Sequence, residues 1–329
     1  MAILGIDTLV YGVDDIKTST QFFADFGLRL VESTSEESCF ELPEGSRVVL
    51  RPLGHPTLPP STIEGPGVRE VIWGVDSARS VDQLARELGA DREIRRDDEG
   101  TVHFITDFGS AMALRTFAKK PVVTAPDPVN SPGQVNRLNK HRKWRLRAYP
   151  KVIAHVVFSV PGYREAAAFM IKRLGFKLSD TQRGFGEYLR ADGSNSHHTL
   201  LLLNADAPIP GMDGRHRFHH ANFGVEDIDE IMVGANHMTR CGWEPSHLGL
   251  GRHRVDSALF YYMPCPAGGE AEYGADADYL DDSWVPREFV EPLFAYSHFV
   301  HNLPPFLMQN PAWNFRYITG IVPSEAGGH

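Results

Sequence analysis

The chain repeats one structural pattern four times, and this repeat restricts the fold more than any other feature of the sequence. Residues 7–31 resemble residues 154–178, since each segment predicts a short apolar strand, a helix with apolar residues at helical spacing, a glycine and a second strand. Residues 71–89 and 221–243 resemble each other as a strand followed by an amphipathic helix. Short strands follow each unit, so the sequence predicts an α+β fold of four βαβββ modules. Paired modules are expected to form two domains, each a cup-like incomplete β-barrel with its helices outside.

The two pairs of modules are separated by a segment rich in proline and turn-forming residues, 119–136. A basic run, 137–147, follows and is interpreted as a solvated face or a subunit contact. The end of the chain departs from the module pattern and is rich in aromatic residues such as Trp284 and Trp313, so it needs a surface to bury against. These features predict an N-terminal domain, a linker, a C-terminal domain and a tail, at 1–118, 119–149, 150–280 and 281–329.

Composition excludes several classes of function. The net charge of -9 argues against a nucleic-acid partner. No apolar run approaches the roughly 20 residues of a membrane span, so no membrane partner is expected. The three cysteines, Cys39, Cys241 and Cys265, show neither metal-binding spacing nor a paired framework, which is typical of the reducing cytoplasm, the predicted location.

Side-chain alternation along the predicted strands indicates which residues point into the C-terminal cup. In AHVVFSV, 154–160, the apolar Val156, Phe158 and Val160 share the face that suits packing under the helix. His155 therefore points the other way, into the cup.

Two further strands offer side chains to the same place. HHANFGV, 219–225, directs His220 away from its helix and His219 toward the helix, while a later strand carries Glu270 and Glu272 on one face. A carboxylate that faces a core is costly unless a partner or a metal satisfies it. Two histidines and one carboxylate are the donor set of a facial triad, which leaves open positions on non-haem Fe(II).

Five motifs in the C-terminal half carry a family resemblance: IAHVVFSV, SHHTLLL, HHANFGVEDIDEI, LGLGRHRVDSALFYY and PAGGEAEYG. Together they resemble the catalytic domain of the type I extradiol catechol dioxygenases, in the vicinal oxygen chelate (glyoxalase–bleomycin resistance–dioxygenase) superfamily, over residues 150–280. The resemblance implies a metal held by His155, His220 and Glu272, with Fe(II), or Mn(II) in its place, as cofactor and O2 as co-substrate. It also implies a homo-oligomeric enzyme of aromatic-compound degradation, which inserts both oxygen atoms into a small catechol-type aromatic next to its vicinal diol.

The same resemblance implies roles for three further residues. His198 matches the acid–base histidine of the family, while His253 and Tyr262 match residues that hydrogen-bond the substrate oxygens. Three neighbouring histidines are alternatives to these assignments: His197, His216 and His219.

The N-terminal half is an internal control for the metal site. Superposing the repeats places Thr8, Glu70 and Ala113, in that order, at the three ligand positions. That set cannot form a facial triad, so this half is expected to be a structural domain without metal. An insertion at 203–217 and the tail are both expected near the mouth of the other cup, where they would shape substrate choice.

Two other interpretations stay open. One is a different metal-dependent member of the superfamily, above all a dioxygenase that cleaves hydroquinones or chlorohydroquinones. The other is a non-catalytic ligand-binding protein with this fold. Oxygen uptake on catechols and hydroquinones, together with ligand affinity measured in chelator, separates these interpretations.

Overall fold

The computed structural model describes residues 2–309 and 315–317. Its N-terminal half contains two modules, each a strand, a helix and three further strands, as the repeat predicts. The first module is β1 (Ile3–Val13), α1 (Ile16–Phe26), β2 (Arg29–Ser33), β3 (Ser38–Glu41) and β4 (Arg47–Pro52). The second is β5 (Gly67–Val75), α2 (Ala78–Leu88), β6 (Ile94–Arg96), β7 (Val102–Ile105) and β8 (Ala111–Thr116).

The C-terminal half repeats this order and adds the tail. The third module is β9 (Val152–Val160), α3 (Tyr163–Leu174), β10 (Lys177–Gln182), β11 (Gly186–Arg190) and β12 (Leu200–Asn204). The fourth is β13 (Arg217–Gly224), α4 (Ile228–Arg240), β14 (Gly251–Arg252), β15 (Leu259–Pro264) and β16 (Glu270–Ala275). The tail contributes β17 (Arg287–Phe289), α5 (Pro292–Tyr296), β18 (Phe299–Val300), a 3-10 turn (Pro305–Leu307) and β19 (Phe315–Tyr317).

Each half builds one mixed sheet around the first strands of its two modules. β1 pairs antiparallel with β5, and β9 pairs antiparallel with β13. The fourth strand of every module returns parallel to the first. The strand orders are β2-β3-β4-β1-β5-β8-β7-β6 and β18-β14-β15-β16-β13-β9-β12-β11-β10-β17-β19. Neither sheet closes within the described residues, so the predicted α+β fold of four modules in two incomplete barrels is confirmed. We call the two sheets the N-terminal cup and the C-terminal cup.

Local sequence sets the ends of the helices. α1 and α3 end at equivalent glycines, Gly27 and Gly175, whose φ angles of 108° and 74° are left-handed. Glycine adopts this conformation without the steric penalty of a Cβ, which is why both helices stop there. Asp15 and Asp227 cap the starts of α1 and α4, and each side chain accepts a backbone N–H three residues further on.

The two halves pack through their helices, with α1 against α4 and α2 against α3. The Phe26 ring stacks on Tyr273 with 4.0 Å between centroids, and Trp73 meets Phe176 edge-on at 4.9 Å. The Tyr273 hydroxyl also donates a hydrogen bond of 2.7 Å to the Phe26 carbonyl. One apolar core therefore continues from half to half, and the bounds given above for separate domains stay a prediction.

The tail packs on the C-terminal cup, which provides the surface that its aromatic residues need. β17 lies parallel to β10 and β18 pairs with β14, while the side chains of Phe289 and Phe294 are buried. Trp313 lies outside the described residues. In the basic run, Trp144 and Leu146 are 88% and 87% exposed, so a subunit contact there, like self-association, stays a prediction. Within the part of the chain described, every helix is too short or too polar to cross a membrane.

Candidate metal centre

The three predicted metal ligands lie together in the C-terminal cup. They come from β9, β13 and β16, and Asn222 on β13 is the register partner of both His155 and Glu272. His155 Nε2 lies 3.2 Å from His220 Nε2, and Glu272 Oε2 lies 3.3 Å from both nitrogens. All three side chains are buried, and one donor atom from each falls within 4.8 Å of the others. Neighbouring strands thus bring two imidazoles and one carboxylate to a single point.

The state of Glu272 tests whether this cluster suits a metal ion. Its side chain is 1% exposed, and neither carboxylate oxygen receives a hydrogen bond of good geometry. Burial by itself raises the pKa of Glu272, but the two adjacent imidazoles outweigh burial and hold the pKa below its usual value. Burial lowers the pKa of His155, which keeps its imidazole neutral. A buried carboxylate without donors is costly, and a divalent ion would satisfy it, so the donor set fits Fe(II) or Mn(II).

His219 was expected on the helix side of its strand, and this prediction is wrong. The pairing of β13 with β9 shifts register between Phe218 and His220, so a β-bulge interrupts the alternation at His219. Its ring lines the same cavity as His220, and the two Nδ1 atoms are 2.7 Å apart. Burial lowers the pKa of His219 to about 3, so its neutral Nδ1 can accept the Nδ1–H of His220. With its proton on Nδ1, His220 has a free lone pair on Nε2 that can bind a metal ion. Metal-binding histidines commonly donate their other ring N–H to a neighbouring group in this way.

His198 lies beside the three-residue cluster and is held by a chain of buried polar groups. Its ring stacks on His155 with 4.1 Å between centroids, and its Nδ1 is 3.1 Å from Nδ1 of His197. His197 Nε2 donates to Asp180 at 2.8 Å, and Arg287 from the tail donates to both oxygens of the same carboxylate. Burial lowers the pKa of His198 well below its usual value. His197, the alternative to His198, therefore contacts Nδ1 of His198 and holds its ring in position.

Sequence reasoning missed Asp256, a second carboxylate beside His198. Asp256 is 2% exposed, and its Oδ2 lies 3.8 Å from His198 Nδ1. Asp256 follows His253 by three residues, in a stretch that also contains two arginines. Such a charged stretch is typical of a surface loop. The signal that could have found it is its place between two cup residues, His253 and Tyr262, on the approach to β15.

His253 and Tyr262 meet at the edge of the same cavity. Tyr262 on β15 is the register partner of Glu272, and its hydroxyl lies 3.1 Å from His253 Nε2. His253 Nδ1 donates to the backbone carbonyl of Tyr296 in α5, and its ring stacks on Phe260 at 4.2 Å. The tail therefore fixes the orientation of this imidazole.

The remaining alternative, His216, has a different role. Its Nδ1 lies 2.7 Å from Thr62 Oγ1 and its Nε2 lies 2.9 Å from Ser110 Oγ, both in the N-terminal half. Burial lowers the pKa of His216 to about 4. It thus links the insertion to the N-terminal half and is away from the metal cluster.

A cavity of about 400 Å³ opens onto the cluster. Buried polar residues, including His155 and His198, line one part of it, and the other part is apolar. The insertion contributes Ile209 to the apolar part, and the tail contributes Leu293 and Phe306. Both segments therefore lie where the sequence predicted them. Among the described residues that line the cavity there is no lysine or arginine.

Part of this chain matches a known protein superfamily, and most of it resembles a named enzyme. Residues 152–235 match the model of the Glyoxalase/Bleomycin resistance protein/Dioxygenase superfamily. Metapyrocatechase 2 of Cupriavidus necator is 26% identical over 301 residues, which cover 88% of this chain and 86% of that enzyme. An iron-dependent extradiol dioxygenase of Rhodococcus jostii is 31% identical over 149 residues, or 41% of this chain and 47% of the relative.

The fold also has solved counterparts. The crystal structure of BphC, a halotolerant catechol dioxygenase, superposes with a TM-score of 0.69 and 20% identity, covering 93% of this chain and 97% of that one. Residues 152–235 therefore match the Glyoxalase/Bleomycin resistance protein/Dioxygenase superfamily, and the chain shares the fold of the BphC crystal structure.

Proposed function

We propose that the protein is an extradiol dioxygenase, which opens a catechol-type ring next to its vicinal diol. One observation carries the proposal: His155, His220 and an unsatisfied Glu272 converge beside a cavity whose outer part is apolar, next to His198. The names of one relative similar over 88% of the chain and of another similar over 41% of it support the same reaction.

We assign His155, His220 and Glu272 as the residues that hold Fe(II), with Mn(II) able to take its place. When bound, the ion would supply open coordination positions for the diol oxygens and for O2. Two neutral imidazoles and one carboxylate leave a net charge near +1, which favours binding of the diol as a catecholate anion. The apolar walls of the cavity limit water around that charge, so its attraction for the catecholate is less screened.

We assign His198 as the group that takes the proton from the substrate hydroxyl and later returns it. Asp180 accepts the Nε2–H of His197, which leaves Nδ1 of His197 to face His198. That nitrogen accepts Nδ1–H of His198. His198 is then left with an unprotonated Nε2, the atom that a general base needs.

We assign His253 and Tyr262 as the groups that orient the substrate oxygens. His253 donates Nδ1–H to the carbonyl of Tyr296, so its Nε2 accepts from the Tyr262 hydroxyl. Both rings are held by packing before a substrate arrives. Groups fixed in advance at a site of developing charge lose little energy to reorganisation.

The cavity also supports a substrate class. Ile209, Leu293 and Phe306 give its outer part an apolar lining, and the described lining residues include no lysine or arginine to pair with a substrate carboxylate. We therefore expect catechols with a neutral, apolar substituent to be cleaved in preference to catechols that carry a carboxylate.

Anaerobic reconstitution with Fe(II), followed by O2 uptake, tests the proposal. We expect stoichiometric O2 consumption and a yellow ring-fission product with catechols, strongest for apolar-substituted ones. Uptake on hydroquinones but not on catechols would instead identify a hydroquinone-cleaving enzyme. Ligand affinity that persists in chelator, without O2 uptake, would identify a binding protein.

A further inference from the structure

A second cluster of metal-binding side chains lies outside the cavity, where α1 of the N-terminal half meets α4 of the C-terminal half. Donor atoms of Asp25, His237 and Cys241 fall within 4.8 Å of one another. Cys241 Sγ lies 3.5 Å from His237 Nε2. The thiol is exposed and the other two side chains are partly buried, so the cluster is open to ions from solution.

The fold brings these three residues together from distant parts of the sequence. His237 and Cys241 are four residues apart at the end of α4, so both point to the same side of the helix. Asp25 comes from the last turn of α1, which is held against α4 partly by the edge-on contact of Phe22 with Trp243 at 5.1 Å. A cysteine with no metal-binding spacing in the sequence thus acquires two partners in the folded chain.

The carboxylate of Asp25 is oriented by two donors from its surroundings. Trp243 Nε1 donates to one oxygen at 3.0 Å, and Gln21 Nε2 donates to the other at 3.0 Å. Such hydrogen bonds hold metal-binding carboxylates in place and leave further lone pairs for an ion. Burial lowers the pKa of His237, which favours the neutral imidazole that an ion binds.

We propose that Asp25, His237 and Cys241 form a second metal site, which binds a divalent cation of the zinc class. Sulfur, imidazole nitrogen and carboxylate oxygen are the ligands that Zn(II) takes, with water completing a tetrahedral set. The ion displaces the thiol proton of Cys241, so one proton is released for each ion bound. The guanidinium of Arg147 lies close to the cluster, since it donates to the carbonyls of Ala24 and Asp25. The thiolate and the carboxylate together neutralise the two positive charges of the ion, so Arg147 does not repel it.

Because the ligands come from both halves, the bound ion joins α1 to α4. An ion that binds the folded chain and not the unfolded one raises the melting temperature. The site is independent of the proposed ring cleavage, since none of its residues lines the cavity.

Cobalt(II) is the probe, because a cobalt–thiolate bond gives a strong near-ultraviolet charge-transfer band. The cluster of His155, His220 and Glu272 contains no sulfur, so the band reports on the second site alone. We expect one equivalent of the band in the iron-free full chain, and its loss when Zn(II) is added. Cys241→Ser should abolish the band, and His237→Ala should weaken cobalt affinity by at least about tenfold.

Two matched controls accompany these variants. Cys265→Ser removes another cysteine and His155→Ala removes a ligand of the first cluster, and both should keep the band. Zn(II) should raise the melting temperature of His155→Ala, in which the first cluster lacks a ligand, but not of the double variant His155→Ala/Cys241→Ser, after circular dichroism has shown that both variants are folded. Absence of the band at saturating cobalt, or its survival in Cys241→Ser, overturns the proposal.

Discussion

The two cups share a backbone and differ in what their central strands carry. In the N-terminal cup, Ile72 is the register partner of both Thr8 and Ala113. Asn222 is the register partner of His155 and Glu272 in the same way, so the register agrees with the superposition of the repeats. The backbones of the two cups thus place three equivalent residues on neighbouring strands.

Side chains decide what those positions do. Val10, Cys39, Val49, Ile72 and Ala113 pack together as an apolar cluster inside the N-terminal cup. Glu70, at the position of His220, is bonded to His103 at 2.8 Å. The C-terminal cup instead keeps a cavity beside its unsatisfied carboxylate. The fold therefore brings the same three strand positions together in both cups. Among the residues that the structure describes, a metal-binding cluster forms only in the cup where side chains with donor atoms occupy these positions.

The largest expected effect comes from removing the charge of Glu272. In Glu272→Gln we expect iron binding to be lost and O2 uptake on catechols to fall by more than about 100-fold, since even outer partners of metal ligands contribute about 10–100-fold. Glu70→Gln makes the same change in the N-terminal cup and should leave both unchanged. Metal analysis measures the bound iron, and an oxygen electrode measures O2 uptake. Equal losses in both variants would contradict the assignment of the metal site to the C-terminal cup.

His198→Gln should act on turnover rather than on the metal. We expect kcat to fall by about 10²–10⁴-fold, the usual contribution of a general acid–base group, while iron content stays at the wild-type level. His103→Gln, the matched change in the N-terminal cup, should leave kcat unaltered. Full activity of His198→Gln would favour a superfamily member that needs no such base.

The buried ion pairs of the two cups should differ in their contribution to stability. Asp180→Ala leaves Arg287 without the carboxylate that it binds, and we expect the free energy of unfolding to fall by about 3–5 kcal/mol. Asp7→Ala breaks the pair with Arg115 in the N-terminal half, where the arginine is more exposed. Its cost should be smaller. Urea denaturation measures both, and a larger cost for Asp7→Ala would contradict this ranking.

The smallest expected effect is a pH dependence from the N-terminal cup. Burial lowers the pKa of His103, but its bonds to Glu70 and Asp97 outweigh burial and raise it. A raised pKa in the folded state gives stability that is complete below the unfolded pKa of about 6.5 and is lost as pH rises through the folded value. The free energy of unfolding should therefore decline above about pH 6.5 in wild type and less so in His103→Gln. An identical pH profile in the variant would show that the pair contributes nothing.

Local patterns predicted the module fold and the convergence of His155, His220 and Glu272. Val156, Phe158 and Val160 lie in the main core, and Val157 packs with the cavity residues, as alternation predicts for β9. Alternation failed at His219, because a β-bulge adds a residue that no sequence period records. Pairing partners far apart in sequence were also missed, since Arg287 is 107 residues from Asp180.

The sequence by itself determined the four modules, the strands of the C-terminal cup and the two imidazoles and one carboxylate aimed into it. These follow from short-range periodicity, because side chains alternate along a strand whatever surrounds it. Only the tertiary structure decided the support of His198 by His197 and Asp180, the anchoring of His253 by the tail, and the meeting of Asp25 with Cys241. Each of these depends on how whole elements pack, and packing is fixed by many weak contacts between residues distant in sequence.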